Sequence, residues 1–207
     1  FTVLGNKIYF AATDSASEAL WVSDGTKAGT RMVQRTIPFG SIFTDETQIV
    51  AVHNKLLLRG QDATGDVELW VSDGTDTGTH LLKNINPLGS SYPLNMFAYN
   101  GNAYFTVDDG VYGNCIWISD GTPQGTHILL AGNPAATPSF FKHCPPVVRN
   151  GKMYFVANDN AHGTELWITD GTEAGAHIIR DCPGCNGAEV RPVAVMDGKV
   201  YFVGNTK

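Results

Sequence analysis

The sequence predicts an all-β fold, a β-propeller of four-stranded antiparallel blades with four complete blades and an extra half-blade hairpin. Three observations predict it. A tryptophan-containing stretch occurs four times, hairpin-turn signals recur in each repeat, and no segment of ten residues or more shows the 3.6-residue period of a helix. The long, constant repeat favours a propeller over a β-sandwich, and two hairpin turns per repeat favour it over a β-solenoid.

The repeated stretch combines a tryptophan with an Asp-Gly-Thr turn. Its copies are ALWVSDGTKAGT (Ala19–Thr30), ELWVSDGTDTGT (Glu68–Thr79), CIWISDGTPQGT (Cys115–Thr126) and ELWITDGTEAGA (Glu165–Ala176). The tryptophans are 49, 47 and 50 residues apart, about the length of one propeller blade. The spacing predicts one repeat array over residues 1–207, with units at about 1–45, 46–92, 93–145 and 146–191 and a partial unit at 192–207.

Each unit opens with two predicted strands joined by a tight turn. The first strands are predicted at Phe1–Leu4, Gln48–Val52, Leu94–Tyr99, Val147–Arg149 and Val193–Met196. The second strands are predicted at Lys7–Ala12, Lys55–Arg59, Asn102–Val107, Lys152–Ala157 and Lys199–Val203. Four of the second strands carry a Tyr-Phe pair, which suits a pleated, half-buried surface. The Asn-Gly pairs between strands, Asn100-Gly101 and Asn150-Gly151, indicate type I′ turns.

The third strand of each unit carries the tryptophan. Around Trp70, side chains alternate between two faces, and both faces carry large groups. This pattern is typical of a strand covered on both sides by neighbouring blades. It therefore predicts that the indoles pack between blades, at Trp21, Trp70, Trp117 and Trp167.

The Asp-Gly-Thr segment is predicted to be a structural turn leading into the fourth strand. The aspartate can accept from a backbone N–H two residues on, and the glycine supplies backbone freedom. The predicted turn residues are Asp24, Gly25, Asp73, Gly74, Asp120, Gly121, Asp170 and Gly171. A second glycine in each copy is interpreted as letting the chain re-enter a strand; these are Gly29, Gly78, Gly125 and Gly175.

Charge and hydropathy argue against two classes of function, nucleic-acid binding and membrane insertion. The chain has 14 Lys and Arg against 20 Asp and Glu, a net charge of −6 without charged blocks, so nucleic acid is not predicted as a partner. Apolar runs of about five residues do not predict insertion into a membrane. The chain begins at Phe1 with neither a Met nor a signal sequence, which indicates a mature or internal piece of a longer precursor. The predicted location is secreted or at the cell surface.

Four cysteines are the candidates for covalent or metal chemistry. Propeller geometry would gather them on one rim, and an even number predicts disulfides in an oxidising compartment. Zinc ligation with His143, or reduced thiols, are the alternatives. A redox role for the Cys-x-x-Cys pair is weaker, because no βαβ pattern surrounds it. The candidates are Cys115, Cys144, Cys182 and Cys185, and no cofactor or metal is predicted.

The remaining polar candidates favour structure over chemistry. The histidines at one repeat position are interpreted as exposed strand residues; they are His80, His127 and His177. The loop aspartates are interpreted as turn caps, with Ca²⁺ ligation as the alternative; they are Asp14, Asp62, Asp109 and Asp159. His162 is a further candidate for ligand contact. No nucleophile-elbow, zincin, P-loop or dinucleotide motif is present, so no catalytic residue is predicted and the chain is predicted not to be an enzyme.

Two segments carry a family resemblance. The segments at Glu68–Ile85 and Glu165–Asp181 resemble the ELWxxDGT repeat found in tandem in large exported bacterial proteins. The resemblance implies a propeller-like extracellular module without catalytic residues. Departures from the repeat are Ala19 and Cys115 in place of Glu, and Ala176 in place of Thr. The turn is also similar to the Asp-box of sialidase propellers, where that hairpin is structural.

The sequence predicts one pair of strands more than four complete units need. Residues 192–207 repeat only the first two strands of a unit, while Phe1–Phe10 already supplies both for the first unit. Three explanations are open: further blades follow, the first strand is displaced, or the surplus hairpin docks elsewhere. Docking predicts assembly by strand addition, into rings or filaments.

The predicted function is therefore a non-enzymatic structural or adhesive module that contacts proteins, copies of itself included. The alternative is a glycan-binding propeller with loop Asp, Asn and aromatic residues such as Tyr112 in its pocket.

Overall fold

The fold is all-β, as the sequence predicts. The structure is a computed structural model, and it describes residues 1–13, 18–34, 49–133, 146–158, 162, 164–172, 174–180, 191–197 and 199–203. The strands form four four-stranded antiparallel sheets and one two-stranded sheet, which confirms four propeller blades and a half-blade. No helix capable of crossing a membrane occurs among these residues.

The strands are hydrogen-bonded in chain order within each sheet. Blade 1 contains β1 (Thr2–Leu4), β2 (Lys7–Thr13), β3 (Glu18–Ser23) and β4 (Arg31–Gln34). Blade 2 contains β5 (Ile49–Val52), β6 (Lys55–Gln61), β7 (Val67–Ser72) and β8 (His80–Lys83). Blade 3 contains β9 (Leu94–Tyr99), β10 (Asn102–Asp108), β11 (Asn114–Ser119) and β12 (His127–Asn133). Blade 4 contains β13 (Val147–Arg149), β14 (Lys152–Asn158), β15 (Thr164–Thr169) and β16 (His177–Arg180). The half-blade contains β17 (Arg191–Met196) and β18 (Lys199–Val203).

The chain divides into two compact units. One unit comprises Phe1–Val111 with Ile118–His127, and the other comprises Tyr112–Trp117 with Ile128–Lys207. In the first unit β1 lies beside β5 and β5 beside β9, and in the second unit β13 lies beside β17. Within each unit, therefore, the first strands of successive blades are neighbours, which is the arrangement of a propeller. The boundaries predicted for the repeat units stay a prediction.

Two-residue turns set the register of the first hairpins. Positive φ at both turn residues occurs at Asn100 and Gly101 and again at Asn150 and Gly151, as type I′ turns require. Asn102 then pairs directly with Tyr99. Because side chains in strands alternate faces, this register decides which face of each blade is apolar.

A β-bulge recurs between the third and fourth strands, and the sequence did not predict it. In blade 1, Leu20 pairs with Gln34 but Trp21 pairs with Met32, so Val33 is the additional residue. The register shifts at the same position in blades 2 and 4. Val33 is only 5% exposed, so the bulge directs an additional apolar side chain into the core.

The core between blades 1 and 2 shows how blades pack. We call the face that carries the tryptophan the front face of a blade and the opposite face the back face. One cluster joins the back face of blade 1 to the front face of blade 2, with members Tyr9, Leu20, Val22, Val33, Ile49, Leu56, Leu58 and Trp70. Trp70 therefore lies between two blades, where it is 9% exposed.

Candidate functional site

The Asp-Gly-Thr turns share one hydrogen-bond network. In blade 2, Asp73 Oδ1 accepts from the backbone N–H of Thr75 at 2.9 Å and from its hydroxyl at 2.6 Å. Thr75 Oγ1 accepts in turn from the N–H of Gly78 at 3.0 Å, and Ser72 Oγ accepts from the N–H of Gly74 at 3.0 Å. The same aspartate and threonine bonds occur in the other three blades. The side chains thus replace the bonds that a turn of this length leaves unmade.

Each turn stabilises the ionised form of its own aspartate. Hydrogen bonds from the threonine lower the pKa of Asp73 below the ordinary aspartate value, and the same cause lowers the pKa of Asp24, Asp120 and Asp170. The contribution of the turns to stability is therefore present above the ordinary value of 3.8 and is lost as the pH falls through the lower folded-state pKa.

The last residue of the motif varies in blade 4. In blade 2, Thr79 Oγ1 bonds to Ser72 Oγ at 2.7 Å and donates to the carbonyl of Thr75. Ala176 stands at this position in blade 4, and there Thr169 Oγ1 donates to the carbonyl of Thr172 at 3.2 Å. One hydroxyl thus closes the turn in blade 4, where two do so in the other blades.

The two glycines of each turn have different roles. The first glycine takes a positive φ, 87° at Gly74, which is the freedom that the sequence predicts. The second glycine does not adopt a positive φ. A Cβ on Gly78 would lie 2.0 Å from Asp73 Oδ1, and the same collision occurs at Gly29, Gly125 and Gly175. The second glycine therefore makes room for the carboxylate, which corrects the interpretation that it lets the chain re-enter a strand.

Replacing Gly78 by alanine is expected to lower the free energy of unfolding by about 1–3 kcal/mol, because the methyl group displaces Asp73 and breaks its bonds to Thr75. Urea unfolding measures this cost. Gly89→Ala is the matched control, because a Cβ on Gly89 meets nothing within 4 Å. Equal costs for the two substitutions would show that the carboxylate moves aside freely.

Contacts between blades converge on these turns within the first unit. Tyr9 of blade 1 lies against the turn of blade 2, where a Cβ on Gly74 would come within 2.3 Å of its hydroxyl. Lys55 of blade 2 donates from Nζ to the carbonyl of Gly121 in blade 3 at 3.1 Å. Lys83 of blade 2 donates to the carbonyl of Thr126 in the same turn. The back face of one blade thus binds the turn of the next.

Glu68 is a buried carboxylate whose role the repeat pattern did not predict. It is 1% exposed, and it accepts from the N–H groups of Ile85 at 3.0 Å and Asn86 at 3.2 Å and from the hydroxyl of Ser91. Burial raises the pKa of Glu68 above the ordinary value. Glu68 therefore holds the connection from β8 to β9 against β7, the strand that carries Trp70, by hydrogen bonds. A second buried acid at the same repeat position, Glu165, is the signal that could have revealed it.

The predicted sites for covalent and metal chemistry are only partly described. Cys115 is fully buried on β11. Cys144, Cys182, Cys185 and His143 lie outside the described residues, so the disulfides stay a prediction. Within the described ranges no group of three or more His, Cys, Asp or Glu side chains could hold a metal ion.

The other polar candidates are mostly exposed or cap turns. His80, His127, His162 and His177 are exposed, and Tyr112 is 53% exposed. Asp62 caps its turn by accepting from Thr64 and Asp66. Asp109 is buried, whereas Asp14 and Asp159 lie outside the described residues.

Among the described residues, two surfaces are more exposed than the equivalent surfaces of other blades. Tyr201 and Phe202 of the half-blade are 43% and 42% exposed, whereas Tyr9 in blade 1 is 4% exposed. On the front face of blade 1, Val3 is 55% and Ile8 41% exposed. These open surfaces of a β-propeller segment are the candidate functional site.

Solved structures share this fold. Puromycin hydrolase matches with a TM-score of 0.52 and 17% identity over 97% of this chain and 32% of that one. A mutant of the same enzyme complexed with PGG gives a TM-score of 0.50 and 17% identity over 96% and 31%. An exo-β-1,3-galactanase from Phanerochaete chrysosporium has a TM-score of 0.45 and 12% identity over 86% and 48%. The chain spans about a third of the length of puromycin hydrolase. No protein-family model and no curated protein matches the sequence, so the ELWxxDGT resemblance stays a prediction.

These comparisons correct one prediction. The chain was predicted not to be an enzyme because its repeats carry no catalytic motif. That prediction is wrong, because the solved structures that share the fold are enzymes. The lack of a catalytic motif in the repeats therefore does not decide whether a chain of this fold is an enzyme.

Proposed function

We propose that this chain is a protein-contact module of the cell exterior, secreted or displayed at the surface, and that strand addition at the edge of β18 makes the contact. The observation that carries the proposal is the two-stranded sheet β17–β18, which occupies the repeat position of a four-stranded blade. Phe202 is 42% exposed there, whereas Leu58, its equivalent in blade 2, is fully buried. A partner strand would bury this ring.

The free edge of β18 offers backbone groups for such a strand. Among the described residues β18 pairs with β17 alone. Met196 and Lys199 flank the two-residue turn, so in the alternation of an antiparallel ladder the N–H groups of Val200 and Phe202 point away from β17. Unpaired edges of this kind are templates for strand addition.

A peptide with the sequence of residues 67–83, the third and fourth strands of blade 2, is the probe for strand addition at this edge. We expect saturable binding to the intact chain in an isothermal titration, and no binding of a scrambled peptide. Phe202→Pro should abolish binding, because proline removes an outward N–H without breaking the hairpin.

Phe202→Thr is the matched control, because it loses the ring but keeps the N–H. Circular dichroism checks that both variants retain their β structure. The proposal fails if the intact chain does not bind the peptide, or if Phe202→Pro binds it as tightly as Phe202→Thr does.

A further inference from the structure

The connection from β8 to β9 is held in place by blades 2 and 3. The N–H groups of Ser91 and Tyr92 donate to the carbonyl of Val67 on β7, at 3.0 and 3.3 Å. On the other side, the N–H of Asp108 in blade 3 donates to the carbonyl of Ser91 at 2.9 Å. All of these residues belong to the first compact unit. Hydrogen bonds to both blades therefore fix the end of the connection where Tyr92 stands.

Tyr92 has an unfavourable backbone conformation. Its φ is +47°, a left-handed value that is rare for a bulky side chain. It also precedes Pro93, and a residue before proline favours an extended conformation. Backbone strain persists where the surrounding structure imposes it, and it is concentrated at functional sites. The side chain is 50% exposed, so burial in the core does not explain why a tyrosine stands here.

Arg59 on β6 supports one face of the Tyr92 ring. Its Cζ lies 5.4 Å from the ring centroid, which is a cation–π contact. The same position of the second strand is uncharged in the other complete blades, where it is Ala11, Thr106 or Val156. The blade itself therefore does not require an arginine at this position. Because the guanidinium covers one face of the ring, the opposite face is the one that a ligand can reach.

Two carboxylates flank the segment that carries Tyr92, one from each blade. Asp66 Oδ1 accepts from the hydroxyl of Ser90 at 3.0 Å, and Asp66 is half-buried. Asp108 is exposed, and its Oδ1 accepts from the N–H of Gly110 at 2.9 Å. An ionised carboxylate has about four lone pairs that can accept. Both groups can therefore accept further hydrogen bonds from a ligand beside the ring.

A sugar matches this arrangement of an aromatic face and acceptors. The faces of a pyranose ring carry C–H groups that stack on an aromatic ring, and the hydroxyl groups at its edge donate to carboxylates. An aromatic surface with a few placed polar groups is typical of sites for small ligands. The two carboxylates, in a chain of net charge −6, disfavour an anionic sugar.

We propose that Tyr92 forms a binding site for a neutral glycan at the connection between blades 2 and 3. The ring stacks on one sugar unit, Arg59 positions the ring, and Asp66 and Asp108 accept from the sugar hydroxyl groups. This binding function is additional to strand addition at β18 and uses none of the same residues.

A chemical-shift titration of the intact, ¹⁵N-labelled chain tests the site. The probes are the neutral hexasaccharides cellohexaose, xylohexaose and mannohexaose, with hexagalacturonate as the anionic control. We expect saturable shifts with at least one neutral probe, concentrated at the amides of residues 88–92 and 108–110, and none with hexagalacturonate. The proposal is overturned if no neutral probe gives saturable shifts at millimolar concentration, or if the shifts are concentrated elsewhere.

Substitutions at Tyr92 separate binding from stability. Tyr92→Asn removes the ring and introduces a residue that adopts a positive φ more readily. It should weaken sugar binding by about tenfold or more, without lowering the midpoint of urea unfolding. Tyr92→Phe keeps the stacking face and should bind nearly as tightly as the native chain. Tyr99→Ala is the matched control, because Tyr99 lies at the opposite end of β9, and it should leave binding unchanged.

The outcomes also separate this site from the proposed function. Equal sugar binding by Tyr92→Asn and the native chain, or equal losses in Tyr92→Asn and Tyr99→Ala, would show that the ring is not the site. If the sugars do not bind but the 67–83 peptide does, the glycan site is wrong and strand addition stands. If the peptide instead of a sugar shifts the amides of residues 88–92, the surface binds protein, which also overturns the glycan site.

Discussion

Replacing Trp70 by alanine is expected to lower the free energy of unfolding by about 3–5 kcal/mol, the usual cost of truncating a buried aromatic side chain. Trp70 lies between the back face of blade 1 and the rest of its own front face, beside Leu58. The cavity would open at the interface between two blades. Both sheets there are held by their ladders of backbone hydrogen bonds, so they would not move together to fill it. Urea unfolding of the intact chain, followed by far-ultraviolet circular dichroism, measures the loss.

Two substitutions make the Trp70 prediction specific. Trp21→Ala changes the same repeat position in blade 1, where the indole is only half-buried, so it should cost about 1 kcal/mol. Trp70→Phe should retain most of the stability, since Trp70 Nε1 is buried without a hydrogen-bond partner among the described residues. Equal losses for Trp21→Ala and Trp70→Ala would contradict packing between blades as the source of the effect.

The sequence predicts the blades because each strand's pattern is local. Alternation around Trp70 predicts two covered faces, and all six residues of β7 are buried. The turns are equally local, because Asp73 and Thr75 bond to each other within the motif. The bulge at Val33 could not be predicted in this way. It depends on how two strands pair across a turn, and a register shift leaves no mark on the alternation of either strand alone.

The candidate site could not be predicted, since exposure at these positions depends on the neighbouring blade. Ile8 and Leu56 occupy one repeat position and are both large and aliphatic, yet one is 41% exposed and the other fully buried. Repeated sequence implies repeated local structure, but it does not say which copies have a neighbour. The exposure of each copy depends on how the described blades pack, which the repeated sequence alone does not give.

Glu68→Ala is expected to lower the free energy of unfolding by about 2–4 kcal/mol, because it leaves buried donors without an acceptor. The N–H groups of Ile85 and Asn86 would lose the carboxylate, and their connection to β9 would loosen. Glu68→Gln should cost less, because one amide oxygen can still accept from Ile85. Chemical unfolding of the three proteins at neutral pH gives the order of stability.

The pH dependence distinguishes a buried acid from the exposed turns. Burial raises the pKa of Glu68, so the folded chain holds this proton more tightly than the unfolded chain does. The associated stabilisation is present below the ordinary value of 4.5 and is lost as the pH rises through the folded-state pKa. The turn aspartates act with the opposite sign, since their pKa values are lowered.

The difference in unfolding free energy between the native chain and Glu68→Gln should therefore shrink as the pH rises. The contribution of the turn aspartates is the same in both proteins, so it cancels in this difference. A difference that grows with pH would contradict this prediction. It would mean that the three hydrogen bonds lower the pKa of Glu68 by more than burial raises it, so that Glu68 stabilises the connection as an ionised carboxylate.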